Sequence, residues 1–195
     1  MSLQAYQMLA QKVGMNERDQ NAALSEYMAN GGVNLDPAVT AWCAAVINAS
    51  LEQAGVEGTG KLNARSYLDW GDPVDTPQRG DVAVFARGDP DGWQGHVGFY
   101  DSANEDGTVN ILGGNQGDAV SIKPYSTDRL LGYRRAPGQP QPGVGGVNAL
   151  GMPAPNVAPQ GQALNALAPR DPAPQFEYAN RLDASPFLNV HVRRG

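Results

Sequence analysis

Asp36-Pro37-Ala38-Val39-Thr40-Ala41-Trp42-Cys43-Ala44-Ala45 is the stretch on which the reading of this chain turns. Ala44, Val46, Ile47 and Leu51 continue it as an apolar stripe at helical spacing, and Gly55 ends the pattern. A helix is therefore expected from about residue 40 to residue 53 or 54. Thr40 is a good N-cap, which puts Ala41, Trp42 and Cys43 in the first turn. Cys43 is the single cysteine of the 195 residues. At a helix start, unpaired N–H groups and the helix dipole favour an anion, and the thiolate is the reactive form of cysteine. The same N–H groups could hold a developing oxyanion. The commoner fate of a free cysteine is that of a small buried apolar residue, so the reading needs a partner group elsewhere.

Outward from this helix the pattern changes once. Before it, Tyr6, Leu9, Ala10 and Val13 recur at helical spacing, and a second helix is expected over residues 17–28, ended by Gly31-Gly32. After it come a short helix at residues 63–69 and then short β-type runs between turn residues, at 81–86, 96–100, 108–112, 119–123 and 131–134. Helices first and an antiparallel sheet of about five strands second is an α+β layout. Asp81 follows Gly80 and is expected to close the turn into its strand by bonding backbone groups. The chain divides into a globular part, residues 1–135 (N-terminal helices 1–32, core 33–135), a Pro/Gly/Ala-rich linker, 136–175, and an apolar end, 176–195.

Composition excludes several classes. The net charge is −6 and no basic face is visible, which argues against a nucleic-acid binder. One cysteine rules out an internal disulfide, and one cysteine with two distant histidines makes a metal site a poor expectation, so no metal or cofactor is assigned. The first residues, Met1-Ser2-Leu3-Gln4-Ala5-Tyr6-Gln7, have no basic start and no apolar run, so neither a secretory signal nor a membrane span is expected.

The partner group is His96, in Gly95-His96-Val97-Gly98-Phe99-Tyr100. It could be a satisfied strand histidine, but the flanking glycines at 95 and 98 would clear space as a substrate cleft requires. If the hairpin is symmetric about Asn104-Glu105-Asp106-Gly107, paired positions sum to 211 and His96 lies opposite Asn115. A tighter Asp106-Gly107 turn would instead pair Asn115 with Gly98, still on the same face. A side-chain amide there can fix the tautomer of the imidazole, the third role of a Cys-His-Asn triad. Asn110, the competitor, falls near the turn. Trp93, on a loop just before Gly95, could stack on a sugar or peptide, or cover a core edge. Trp42 is expected to pack beneath the site.

These pieces carry a resemblance. Residues 40–133 resemble the CHAP and NlpC-type peptidoglycan hydrolases, a papain-like group, through Thr40-Ala41-Trp42-Cys43-Ala44-Ala45, Pro77-Gln78-Arg79-Gly80-Asp81-Val82, Gly95-His96-Val97-Gly98-Phe99-Tyr100, Leu112-Gly113-Gly114-Asn115-Gln116 and Gly132-Tyr133-Arg134. The resemblance implies cleavage of amide bonds in bacterial peptidoglycan, with Cys43 as nucleophile, His96 as base and Asn115 as orienting group. Trp93, Gly95, Gly114 and Gln116 are then expected at the substrate. Many such domains carry an acidic residue two positions before the asparagine, and here that position is Gly113. The resemblance does not extend to the first thirty residues or to the tail.

The tail suggests delivery. Residues 136–169 hold no charged residue and repeat Asn-Ala-Leu at 148–150 and 165–167. Such a segment cannot by itself bury enough apolar surface to fold. Leu188-Asn189-Val190-His191-Val192 alternates like a strand, so the end could fray or could add to a partner's sheet edge. The expected setting is a phage particle, with a tail-associated partner, acting in the host periplasm or wall. A degenerate hydrolase fold serving as a structural protein and a secreted antibacterial effector are the competing readings.

Overall fold

A computed structural model of the chain describes residues 2–139. Among the described residues are three α-helices, α1 (Ser2–Ala10), α2 (Asn21–Ala29) and α3 (Cys43–Gln53), and six strands. The strands are β1 (Asp72–Val74), β2 (Val82–Ala86), β3 (Gly95–Ala103), β4 (Thr108–Gly113), β5 (Ser121–Ser126) and β6 (Leu130–Arg135). They form one sheet in the order β1-β6-β2-β3-β4-β5, every neighbouring pair antiparallel. The α+β architecture read from the sequence is the one observed. The unexpected element is β1, a three-residue edge strand containing Pro73, whose missing N–H is tolerated at an edge. The expected linker from residue 140 onward and the apolar end, 176–195, lie outside the described residues.

Alternation along the strands gives the sheet two apolar faces. Val82, Val84, Val97, Phe99 and Leu112 join the main core with α1 and α3. Ala83, Phe85, Val109, Ile111 and Tyr133 form a second cluster on the other face, with Tyr100, Tyr125 and Leu130 packed against it. α3 is buried at every residue from Cys43 to Leu51, so it is a core helix enclosed on all sides. Its small residues permit that: a Cβ on Gly31 would stand 2.2 Å from the Cα of Ala49. α3 ends in a Schellman turn with Gly55 left-handed, the Val56 N–H bonding the Leu51 carbonyl and the Gly55 N–H that of Glu52, both at 2.9 Å.

Asp81 does close its turn, accepting from the Gln78 N–H at 2.7 Å. It also does what the sequence did not suggest. Its carboxylate receives Arg135 in a two-pronged ion pair, Nε to Oδ1 at 3.0 Å and Nη2 to Oδ2 at 2.6 Å, with both residues buried. The pair ties the entry of β2 to the end of β6. Ala136, 1 % exposed, still belongs to the core, so the fold runs past residue 135.

Candidate active site

α3 begins later than Thr40 would cap it. Trp42 holds the N-cap position without a side-chain capping bond, and Cys43 is the first helical residue. The reason lies upstream. Asp36 folds residues 36–40 into their own turn, its Oδ1 accepting from the Ala38 N–H at 2.9 Å and its carbonyl from the Thr40 N–H at 3.1 Å. The first bond within the helix runs from the Val46 N–H to the Trp42 carbonyl, 3.0 Å, so the N–H groups of Cys43, Ala44 and Ala45 have no acceptor inside α3. Trp42 is buried beneath the site as expected, and its Nε1 donates to Glu17 Oε2 at 2.7 Å.

The cysteine meets β3 where β4 leaves it. Pairing of β3 with β4 ends at Phe99↔Leu112, whereas pairing with β2 continues to Ala86↔Gly95. The first residues of β3 thus have a strand neighbour on one side only. On the other side the Cys43 sulfur faces the N–H of the peptide that joins His96 to Val97. Burial pushes the Cys43 thiol up from its ordinary pKa, against the lowering effects of that N–H, the Arg87 charge and the helix-start N–H groups. The helix start alone had suggested an acidified thiol; enclosure outweighs it.

His96, opposite Phe85 in the β2–β3 register, points to the second face of the sheet. There Tyr125 of β5 lies flat on its ring, 5.2 Å between centroids and 1° between planes, and Tyr125 in turn contacts Phe85. The imidazole is 1 % exposed. Burial, reinforced by the positive charge of Arg87 and opposed by the Gln116 amide, takes its pKa down to about 4. Among the described residues neither ring nitrogen makes a hydrogen bond of full geometry. Tyr125 and Arg87 were missed by sequence reading. The signal for Arg87 was parity, since it stands two residues after Phe85; Tyr125 comes from a strand far along the sheet and left no local signal.

The turn after β4 supplies the remaining groups. The pairing sum of 211 holds at Phe99↔Leu112 and Tyr100↔Ile111, but β4 ends at Gly113, so Asn115 is not a strand residue opposite His96. Asn115 sits half-buried in the turn with a left-handed φ of 55°. Gln116 folds back beneath it and is buried. The point where a Cβ on Gly113 would stand is 3.4 Å from both His96 Nε2 and Gln116 Cδ. Residues 14–17 brace this turn: the Glu17 N–H bonds the Asp118 carbonyl at 2.9 Å and the Gly14 N–H that of Val120 at 2.9 Å.

The expected contact residues separate. Trp93 is 74 % exposed on the 87–94 loop, which Arg65 straps down through the carbonyls of Gln94, at 2.9 Å, and Pro90, at 2.9 Å. Gly95 is half-buried, while Gly114 is buried beneath the turn, where a Cβ would be 2.3 Å from the Trp42 ring. Nor does Gly98 open a cleft. A Cβ there would meet Ile111 Cγ2 at 2.4 Å, so its bareness admits β4 and leaves no space for substrate.

A cysteine at a helix start, beside the backbone of a strand histidine, supplies residue types used in nucleophilic acyl chemistry. Residues 35–115 match the family model of the CHAP domain. The match contains Cys43, His96 and Asn115 and stops one residue short of Gln116. No curated protein matches the chain.

Proposed function

We propose that this chain cleaves an amide bond of bacterial peptidoglycan with Cys43 as nucleophile and His96 as general base. The observation that carries the reading is the meeting of Cys43, first residue of α3, with the His96–Val97 peptide. With a raised thiol and a lowered imidazole, the resting pair is neutral. The Cys43 proton passes to His96 as the sulfur bonds the substrate carbonyl carbon. The carbonyl oxygen gains the electron pair and is held by N–H groups at the helix start. Collapse breaks the C–N bond, the amine leaves with the proton from His96, and a thioester remains. Water, giving a proton to His96, then releases the carboxylic product and restores the thiol. Cys43→Ala should abolish release of wall fragments from purified peptidoglycan while leaving the melting temperature close to that of the parent, since little volume is lost. Fragment release at the parental rate would overturn this assignment.

The tail belongs to the same proposal. A charge-free, proline-rich linker spans up to about 3 Å per residue, and an apolar end suits attachment to a protein partner, of which a phage tail component is the kind we favour. The enzyme would then act from the virion on the host wall. A chain ending at Gln139 keeps the buried Ala136 and should digest peptidoglycan in solution while failing to enter its particle. Normal assembly of the shortened chain would exclude the anchor.

A further inference from the structure

Gln116 is held in one orientation by its surroundings. Its amide nitrogen stands 2.6 Å from the Ser121 carbonyl, 3.1 Å from that of Gly113 and 3.3 Å from that of Ile111. Three carbonyl oxygens around one end of an amide require that end to be the NH2 group, because an oxygen there would face acceptors only. The other end, Oε1, is therefore the acceptor. It is buried and has no partner of full hydrogen-bond geometry among the described residues. A buried carbonyl oxygen without a donor is costly, and so is a buried imidazole N–H without an acceptor. The two side chains are neighbours: His96 Nε2 and Gln116 Cδ are each 3.4 Å from the same point above Gly113, and the Gln116 side chain acts on His96 in the sense of an acceptor, favouring its protonated form.

We propose that Gln116, one residue beyond the matched segment, is the positioning residue of the site, its Oε1 accepting a proton-bearing Nε2 of His96. This rests on the Cys43–His96 reading above and replaces Asn115 in the orienting role. The bare Gly113 makes it possible. With no side chain at 113, the Gln116 amide occupies the ground beside Nε2. Placing the proton on Nε2 leaves Nδ1 with the free lone pair, the nitrogen able to take a proton from a thiol. The rigid set of three carbonyls makes the choice of tautomer a property of the folded turn, independent of substrate.

The test reads the tautomer directly. In the full chain carrying His191→Gln, His96 is the one remaining histidine, and long-range nitrogen–proton NMR of the imidazole at pH 7 distinguishes a protonated from an unprotonated ring nitrogen. The expected result is protonated Nε2 and unprotonated Nδ1; the opposite tautomer, or an even mixture, overturns the proposal. Gln116→Met keeps length and bulk but removes the acceptor. If it folds, the preference for Nε2–H should fall toward a mixture, with kcat down by about tenfold or more and KM little changed, the pattern of a base in the wrong tautomer. A folded Gln116→Met protein with the parental tautomer overturns the proposal as well, and if that variant does not fold the parental measurement decides alone. The tautomer is measured without turnover, so an inactive Cys43 reading and a failed Gln116 role are told apart.

Discussion

The sheet buries polar chemistry at two places, and they are built on opposite terms. At the β2–β6 seam, Asp81 and Arg135 satisfy one another in a two-pronged pair, and the Gln78 N–H takes a further carboxylate lone pair. At the end of β4, His96 and Gln116 are as deeply buried, yet both ring nitrogens and Oε1 lack a partner of full geometry. A satisfied buried pair holds a fold together; groups buried and left open are kept for a task. The contrast predicts a separation of effects. His96→Ala should lower turnover by about a hundredfold or more, the usual contribution of a general base, and leave a folded protein. Asp81→Ala strands the Arg135 guanidinium without its carboxylate and should cost about 3–5 kcal/mol in a denaturant titration. If Asp81→Ala unfolds no more readily than His96→Ala, the difference between the two places is not one of satisfaction.

Much of this was legible in the chain. The helix with Cys43, the strand with His96, and the order of helices before sheet all follow from period and punctuation. The pairing sum of 211 was right where β3 and β4 pair. What failed had physical causes that neighbours decide. Thr40 lost its cap role because Asp36 folds the preceding residues into a competing turn. Asn115 left the strand because β4 ends at Gly113 and a run of small and polar residues turns left-handed. Gly98 read as an opening because a glycine looks the same whether it admits a ligand or a neighbouring strand. The role of Gln116 was beyond reach of the sequence, since it depends on carbonyls from both sides of the turn converging on one amide.

The histidine's depressed pKa sharpens the contrast with respect to pH. The unfolded chain takes up this proton as pH falls through 6.5, whereas the folded protein resists it until about pH 4. The unfolded state therefore binds more protons across that window, and stability is highest above it and falls as pH drops through it. A shift of this size corresponds to about 3 kcal/mol. Unfolding free energies measured from pH 7 to pH 4 should fall more steeply for the parent than for His96→Ala, and the difference between them isolates His96 from the carboxylates. If His96 is the base as proposed, turnover follows the same group: the imidazole stays neutral well below pH 6.5, so the acid limb of kcat should lie under the ordinary histidine value. Parallel stability curves for the two proteins would show that the imidazole is not shielded as described.

The smallest effect concerns the cover of that imidazole. Tyr125 lies parallel to the ring on the face away from α3, and burial is the largest cause of the lowered pKa. Tyr125→Leu keeps an apolar lid but loses the aromatic contact, at about 0.5–1.5 kcal/mol beyond the area change. Tyr125→Ala removes the lid and admits water, so the charged imidazolium becomes less costly and its pKa should rise toward 6.5. The acid limb of turnover should then move upward in the order parent, Tyr125→Leu, Tyr125→Ala, with the maximum rate at neutral pH changed by no more than about tenfold. The order matters more than the sizes. If the limb stays fixed while Tyr125→Ala remains folded, the shielding comes from other groups, and the second face of the sheet is only packing. If it moves as stated, the aromatic face of β5 sets the working pH of a site whose nucleophile comes from the opposite face.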